Sequence, residues 1–147
     1  MALAGLAVRA WAAGVIEKNT RLAVSGPYAY TRNPLYLGST IASVGFAIAA
    51  GKWWLLVMMA VFFAAVYVPV IRREQAHLTE LFGPDYAAYV AAVPLLLPRL
   101  TPWRPTGTTA NRFSWQRYWK NHEYRAAVAF ALIIIFLAAK MVWLARG

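Results

Sequence analysis

The sequence predicts an all-α, polytopic integral membrane protein, and three observations carry that prediction. The chain is 61% hydrophobic and only 14% charged, against about 45–50% and about 25% in a soluble domain. Its apolar residues concentrate in four long runs, two of them of membrane-spanning length. Its cations, which give a net charge of +10, fall mostly on one side of those runs.

The first run, Ala2 to Ile16, is short and carries Arg9 inside it, so it reads as a short or partly embedded helix. It has no basic start, and no cleavable signal is expected. The second run, Tyr36 to Ala50, is lengthened by Pro34 and Leu35, and the third spans Trp53 to Ile71. Only Gly51 and Lys52 separate them, so the two should form an antiparallel helical hairpin. Trp53 and Trp54 at its tip suit a water–lipid boundary. The fourth run, Ala126 to Leu144, is long enough to span, since a spanning helix needs roughly 17–25 residues. Between the third and fourth runs, Arg72 to Phe82 has a helical pattern with His77, Leu78 and Leu81 on one face. Gly83 can cap that helix, and Pro84 fits the first turn of the next. Pro94, Pro98, Pro102 and Pro105 then interrupt regular structure. Asn111 to Arg125 interleaves aromatics with cations and reads as a basic aromatic helix in the headgroup plane. The length fits one domain, residues 1–147, with an N-terminal apolar segment (1–16), a core (20–100) and an interfacial plus spanning segment (111–147).

Charge sets the expected orientation. Eleven of the fifteen cations lie in 17–32 and 72–125, at the open end of the hairpin, and all five acids lie there too. The positive-inside rule puts that side in the cytosol. A basic chain can also bind nucleic acid, but the long apolar runs exclude that class here. With no cysteine, disulfides, thiolate metal sites and cysteine nucleophiles are excluded. The two histidines, His77 and His122, lie in different segments and make no spaced ligand set, so no metal site is expected.

The residues that can carry chemistry cluster on the cytosolic side. Leu22 to Gly38 reads LAVSGPYAYTRNPLYLG. Prolines and glycines fix its backbone, and Tyr28, Tyr30, Arg32 and Tyr36 stand where the chain enters the bilayer. On residues alone this is either a rigid turn with interfacial aromatics or a binding loop. Glu74, at the cytosolic end of the third run, is either a solvated partner of Arg72 or Arg73, or an anion held for a cationic ligand.

Together the two segments carry a resemblance. The loop resembles the L-V-x-S-G-x-Y-x-x-x-R-H-P-x-Y-x-G pattern of the isoprenylcysteine carboxyl methyltransferases, shared by related bacterial membrane and phospholipid methyltransferases. Glu74 to Tyr89, EQAHLTELFGPDYAAY, then Val93-Pro94 and Pro98, is similar to the same family's E-E-x-x-L-x-x-x-F-G-x-x-Y-x-x-Y…V-P…P segment. The resemblance implies S-adenosylmethionine as cofactor. It implies a lipid or lipophilic small-molecule acceptor and a site facing the cytosol, in bacteria from the inner membrane. Cofactor-binding positions map to Leu22, Ala23, Tyr28, Asn33, Pro34, Leu35, Tyr36 and Glu74, with Thr20 and Arg21 opening the stretch. Glu74, Asn33 and Arg32 are the implied catalytic residues. Glu74 would pair with the cofactor's ammonium, and backbone N–H groups near Asn33, or Arg32, would hold its carboxylate. Tyrosine faces can stack on adenine or lie near the sulfonium.

Three positions depart from the pattern. Asn33 replaces the family's histidine; it can position a cofactor but cannot serve as a base. Gln75 replaces the second glutamate, which leaves the weight on Glu74. Val70 stands where the family has a substrate-binding arginine. Membrane sterol reductases carry a similar R-H-P-N-Y segment, but Leu35 stands where they have asparagine, which favours methyl transfer. A non-catalytic membrane subunit is the other alternative. The acceptor stays open among a prenylcysteine, a phospholipid amine and a small thiol. Because the chain lacks cysteine, single cysteines introduced at Ser25 and at Gly51 should label from opposite membrane faces with an impermeant maleimide; labelling from one face would refute the hairpin.

Overall fold

A computed structural model describes residues 1–17, 20–105 and 111–146. Among the described residues the protein is all helical: α1 (Ala2–Val15), a 3-10 turn (Gly26–Ala29), α2 (Pro34–Ala49), α3 (Trp53–Phe62), a π-helical turn (Phe63–Tyr67), α4 (Val68–Ala92), α5 (Trp115–Lys120) and α6 (Tyr124–Arg146).

α1 and α2 pack through small residues. A β-carbon on Gly5 would lie 2.4 Å from the Gly38 carbonyl oxygen, and one on Gly38 would lie 2.6 Å from that of Gly5. A β-carbon on Gly45 would meet the Ala2 backbone at 2.6 Å. The backbones therefore touch where Ala2, Gly5, Gly38, Ala42 and Gly45 face one another, the close approach that glycine and alanine permit between apolar helices. Gly51, at φ 63°, supplies the left-handed residue that ends α2. The chain then returns as α3, and Tyr36 at the start of α2 meets Tyr67 with ring centroids 5.0 Å apart. The expected hairpin forms.

The third apolar run does not stop at Ile71. α3, the π turn and α4 follow one another without a gap over 40 residues, kinked at Gly83, and form the one described helix long and apolar enough to cross a membrane. α1, α2 and Tyr124–Phe136 are shorter apolar helices. Pro69 explains the π turn. It has no N–H to donate, and its ring clashes with the carbonyl four residues back, so the preceding turn widens. Gly83 does break the backbone, at φ 47° and ψ −118°, a conformation only glycine reaches readily. Pro84 follows at once, so the chain kinks there without a gap.

Beyond α4 the proline-rich stretch is not merely a break. Val93 to Trp103 is stapled to the 28–33 loop by backbone hydrogen bonds. Arg32 N–H donates to the Pro94 carbonyl (3.0 Å), Arg99 N–H to that of Tyr30 (2.9 Å) and Trp103 N–H to that of Ala29 (2.9 Å). Thr31, fully buried, donates from its hydroxyl to the Leu96 carbonyl at 3.0 Å. Beneath lies a core of Val24, Tyr86, Tyr89 and Val93.

The C-terminal segment departs from expectation. Before α6 begins at Tyr124, only Trp115–Lys120 of this stretch is helical, and His122, at φ 56°, turns the chain into α6. The segment folds back on α1: Ser114 N–H donates to the Gly14 carbonyl (2.8 Å), the Phe113 ring lies against Gly14, and the Ser25 hydroxyl accepts from Asn111 N–H (2.8 Å). Phe130 of α6 meets Phe46 of α2, with ring centroids 5.2 Å apart. α3 buries no residue at all. Val57, Met58, Val61 and Phe62 on α3, and Ile133 to Phe136 on α6, are exposed.

The contact of Gly5 with Gly38 should be intolerant of bulk. Gly38→Val is expected to lower stability by about 3 kcal/mol or more, because the clash is with backbone that cannot move aside. Gly51→Ala, in open space at positive φ, should lose only about 1–2 kcal/mol. Unfolding of both variants in one detergent gives the comparison.

Candidate functional site

A cavity of about 300 Å³ opens at the end of the hairpin opposite Gly51. Its walls come from three places. α1 and the residues just after it give Arg9, Ile16 and Glu17. The loop and first turn of α2 give Arg21 to Ala23, Tyr28 and Arg32 to Tyr36. α4 gives Glu74, Gln75, His77, Leu78, Phe82, Tyr86 and Tyr89. Every residue that the sequence marks as a candidate lines this cavity except Thr20, which is exposed in the turn after α1. The structure therefore brings together two segments 38 residues apart, and the Tyr36 hydroxyl donates to Glu74 Oε2 at 3.2 Å. Glu74 is exposed on the open side and pairs with neither Arg72 nor Arg73, so the solvated-pair reading is not what the fold shows.

The loop geometry is set from behind. Pro27 opens the 3-10 turn that buries Tyr28, and the Tyr89 hydroxyl donates to the Tyr28 carbonyl at 2.8 Å. The Tyr28 hydroxyl and the Arg32 Nε are buried without a hydrogen-bond partner, although both residues line the cavity. Burial, with Tyr89 nearby, pushes the Tyr28 hydroxyl well above its usual pKa, so it stays a proton donor. A buried polar atom without a partner costs about 1–3 kcal/mol, and two such atoms on one cavity wall are what a polar ligand would satisfy.

Asn33 has a structural task. Its side-chain amide donates to the Leu95 carbonyl at 2.9 Å, and its backbone N–H points at the Thr31 hydroxyl at 3.4 Å. The Arg32 N–H is engaged with Pro94. The N–H groups of Arg32 and Asn33 are thus engaged within the protein. Nearby, the N–H groups of Leu35 and Tyr36 sit in the first turn of α2, where a helix leaves its donors without internal partners.

Sequence reading passes over Arg9 and Glu17 as wall residues. Arg9 is saturated: Nε and Nη2 bond the Glu123 carboxylate (3.1 and 2.8 Å), and Nη1 donates to the Leu35 carbonyl (3.3 Å) and the Ser39 hydroxyl. Glu17 pairs with Arg117 at 2.6 Å. A cation inside an apolar run is itself a signal of a buried partner. The α4 wall also had a signal, because Glu74, Leu78 and Phe82 recur at the four-residue spacing of one helix face. Among the described residues no group of three or more His, Cys, Asp or Glu is placed to hold a metal ion.

Fold and site define a helical protein that frames a cavity, apolar in most of its wall with a few polar groups, at the end of an apolar hairpin. Residues 2–85 match the phospholipid methyltransferase family, and the chain belongs to that family. It is 35% identical over 112 residues to the cobalt-zinc-cadmium resistance protein CzcN of Cupriavidus metallidurans, covering 74% of this chain and 51% of that one. It is 30% identical over 139 residues to the nickel-cobalt-cadmium resistance protein NccN of Alcaligenes xylosoxydans xylosoxydans, covering 92% and 65%. To the protein-S-isoprenylcysteine O-methyltransferase of Schizosaccharomyces pombe it is 29% identical over 82 residues, 56% of this chain and 35% of that one. The chain spans between half and two thirds of the length of the two resistance proteins. No solved structure matches it.

Removing the partnerless hydroxyl should not harm the unliganded fold. Tyr28→Phe is expected to unfold at the same or a higher temperature, since it deletes a buried atom that bonds nothing. Thermal unfolding in detergent checks this, and a fall of more than about 5 °C, roughly 1 kcal/mol in a chain this size, would contradict it.

Proposed function

We propose that the protein transfers a methyl group from S-adenosylmethionine to a lipophilic acceptor at the cytosolic face of a membrane. The observation that carries this reading is the cavity in which Glu74 and the Tyr28–Tyr36 loop meet, in a chain of the phospholipid methyltransferase family. The exposed apolar faces of α3 and α6 support a lipid surround. In that reading α2, α3 and α6 enter or cross the bilayer with α1 beside them, and the cavity lies at the basic, cytosolic end. Its volume falls at the lower end of the roughly 300–1,000 Å³ of small-molecule sites.

When bound, S-adenosylmethionine supplies a methyl group on a positively charged sulfur, which leaves as a neutral thioether. The chain's residues divide the binding work by charge. Glu74, held by Tyr36, takes the α-ammonium. The Arg32 guanidinium and the positive end of the α2 dipole take the carboxylate. Tyr28 donates its hydroxyl to the same ligand. The aromatic and aliphatic wall of Leu78, Phe82, Tyr86 and Tyr89 keeps water from one side. Asn33 positions the 95 segment rather than moving a proton. The site therefore works mainly by alignment, which can lower a barrier by about 7–11 kcal/mol in the best cases. The acceptor approaches from the bilayer side, between helices.

Glu74→Gln should weaken S-adenosylhomocysteine binding about tenfold, the lower end for a charged hydrogen bond because Glu74 begins exposed. Glu80→Gln, six residues on and about 240° around the helix, should leave affinity unchanged. Calorimetry of the solubilised protein, with NADPH as a second ligand, decides. Equal affinity in all three proteins removes Glu74 from the site, and tight NADPH binding without S-adenosylhomocysteine binding replaces methyl transfer by reduction.

A further inference from the structure

One wall of the cavity is not held by the segment that forms it. Arg9, in the middle of α1, and Ile16 and Glu17, just after it, line the cavity, and each is fixed by a residue of the C-terminal segment. Glu123 accepts both Nε and Nη2 of Arg9, with the two side chains 23% and 11% exposed. The Asn121 side-chain amide donates to the Ala13 carbonyl at 2.9 Å and toward that of Ile16 at 3.4 Å, closing the end of α1. Arg117 bonds Glu17 at 2.6 Å. These three anchors lie between Arg117 and Glu123, in and just after α5, beyond residues 2–85 that match the family.

The consequence reaches the first turn of α2. Arg9 passes its position on through the Leu35 carbonyl and the Ser39 hydroxyl. With all its donors engaged within the protein, Arg9 has none to offer a ligand. Its effect on a ligand is to fix where Leu35 and its neighbours stand. Glu17 is held on the same side through one carboxylate oxygen, Oε1, which pairs with Arg117.

We propose that Arg117, Asn121 and Glu123 are positioning residues for the cofactor cavity: the C-terminal segment sets the α1 wall, and through Arg9 the start of α2, and so sets cofactor affinity. This rests on the methyltransferase reading. A packing role alone would change stability and leave affinity as it is. A positioning role changes affinity even where the fold is kept.

The test uses the full chain in detergent. S-adenosylhomocysteine is titrated calorimetrically into wild type, Glu123→Gln, Arg117→Met, Arg117→Lys and Lys120→Met, with unfolding temperatures measured on the same samples. Glu123→Gln and Arg117→Met should each raise Kd about three- to tenfold, the coupling expected of groups in one hydrogen-bonded network. Arg117→Lys should recover part of that loss. Lys120→Met removes an exposed cation of the same helix and should stay within about twofold of wild type. If Glu123→Gln does not fold, Arg117→Met decides alone, because its partly exposed pair contributes little to stability. Wild-type Kd in the folded anchor variants overturns the proposal, even with lowered unfolding temperatures. Absence of binding by wild type itself overturns the methyltransferase reading, and this inference with it.

Discussion

The ion pair between Arg9 and Glu123 joins residues 114 positions apart, and much of the molecule is arranged around it. An arginine in an alanine-rich apolar helix cannot face hydrocarbon without a large desolvation cost. Here it faces inward, and its carboxylate partner is nearly covered. Such a pair is weak evidence for net stability, but removing one member leaves an uncompensated charge and is costly. The pair therefore works as a specification. It fixes the point at which the chain enters α6 relative to α1, where apolar surfaces alone would specify little. Small residues bring α1 and α2 into contact, and the buried charge fixes the third helix against them.

A second constraint acts on the loop. Its backbone groups are consumed by the 94–103 segment, through Arg32, Tyr30 and Ala29. What remains pointing into the cavity are side chains and the first turn of α2. Donors held in this way need little reorganisation when a charged ligand arrives, which is the usual source of affinity in a site without a strong acid or base. The unsatisfied Tyr28 hydroxyl and Arg32 Nε are the visible remainder of that arrangement.

Much of this was legible in the residues. The hairpin follows from two apolar runs with Gly51-Lys52 between them, and the kink follows from Gly83-Pro84. The candidate loop and Glu74 emerge from local composition and from the family pattern. What stayed hidden depends on pairing between distant residues. Nothing local says that Arg9 meets Glu123, that Glu17 meets Arg117 or that Asn33 bonds the Leu95 carbonyl. The 111–125 stretch has the composition of an interfacial helix, yet tertiary bonds to Gly14 and Ser25 shape its start and His122 ends it early. Thr20 was carried by its proximity to the loop and not by any chemistry of its own, and it lies outside the cavity.

The widened turn at Phe63–Tyr67 has a consequence for everything downstream of it. A π turn accommodates one residue more than the regular helix would, and each residue advances the helix by about 100°. The angular phase of α4 is thus offset from that of α3. α3 can show apolar side chains on all sides while α4 aims Glu74, Leu78 and Phe82 at the loop. Were the same sequence wound as a plain α-helix, Glu74 would swing away by about a quarter turn or more and meet lipid instead of Tyr36. In this chain the longest helix is two surfaces joined out of phase, and the joint is written by a single proline, Pro69.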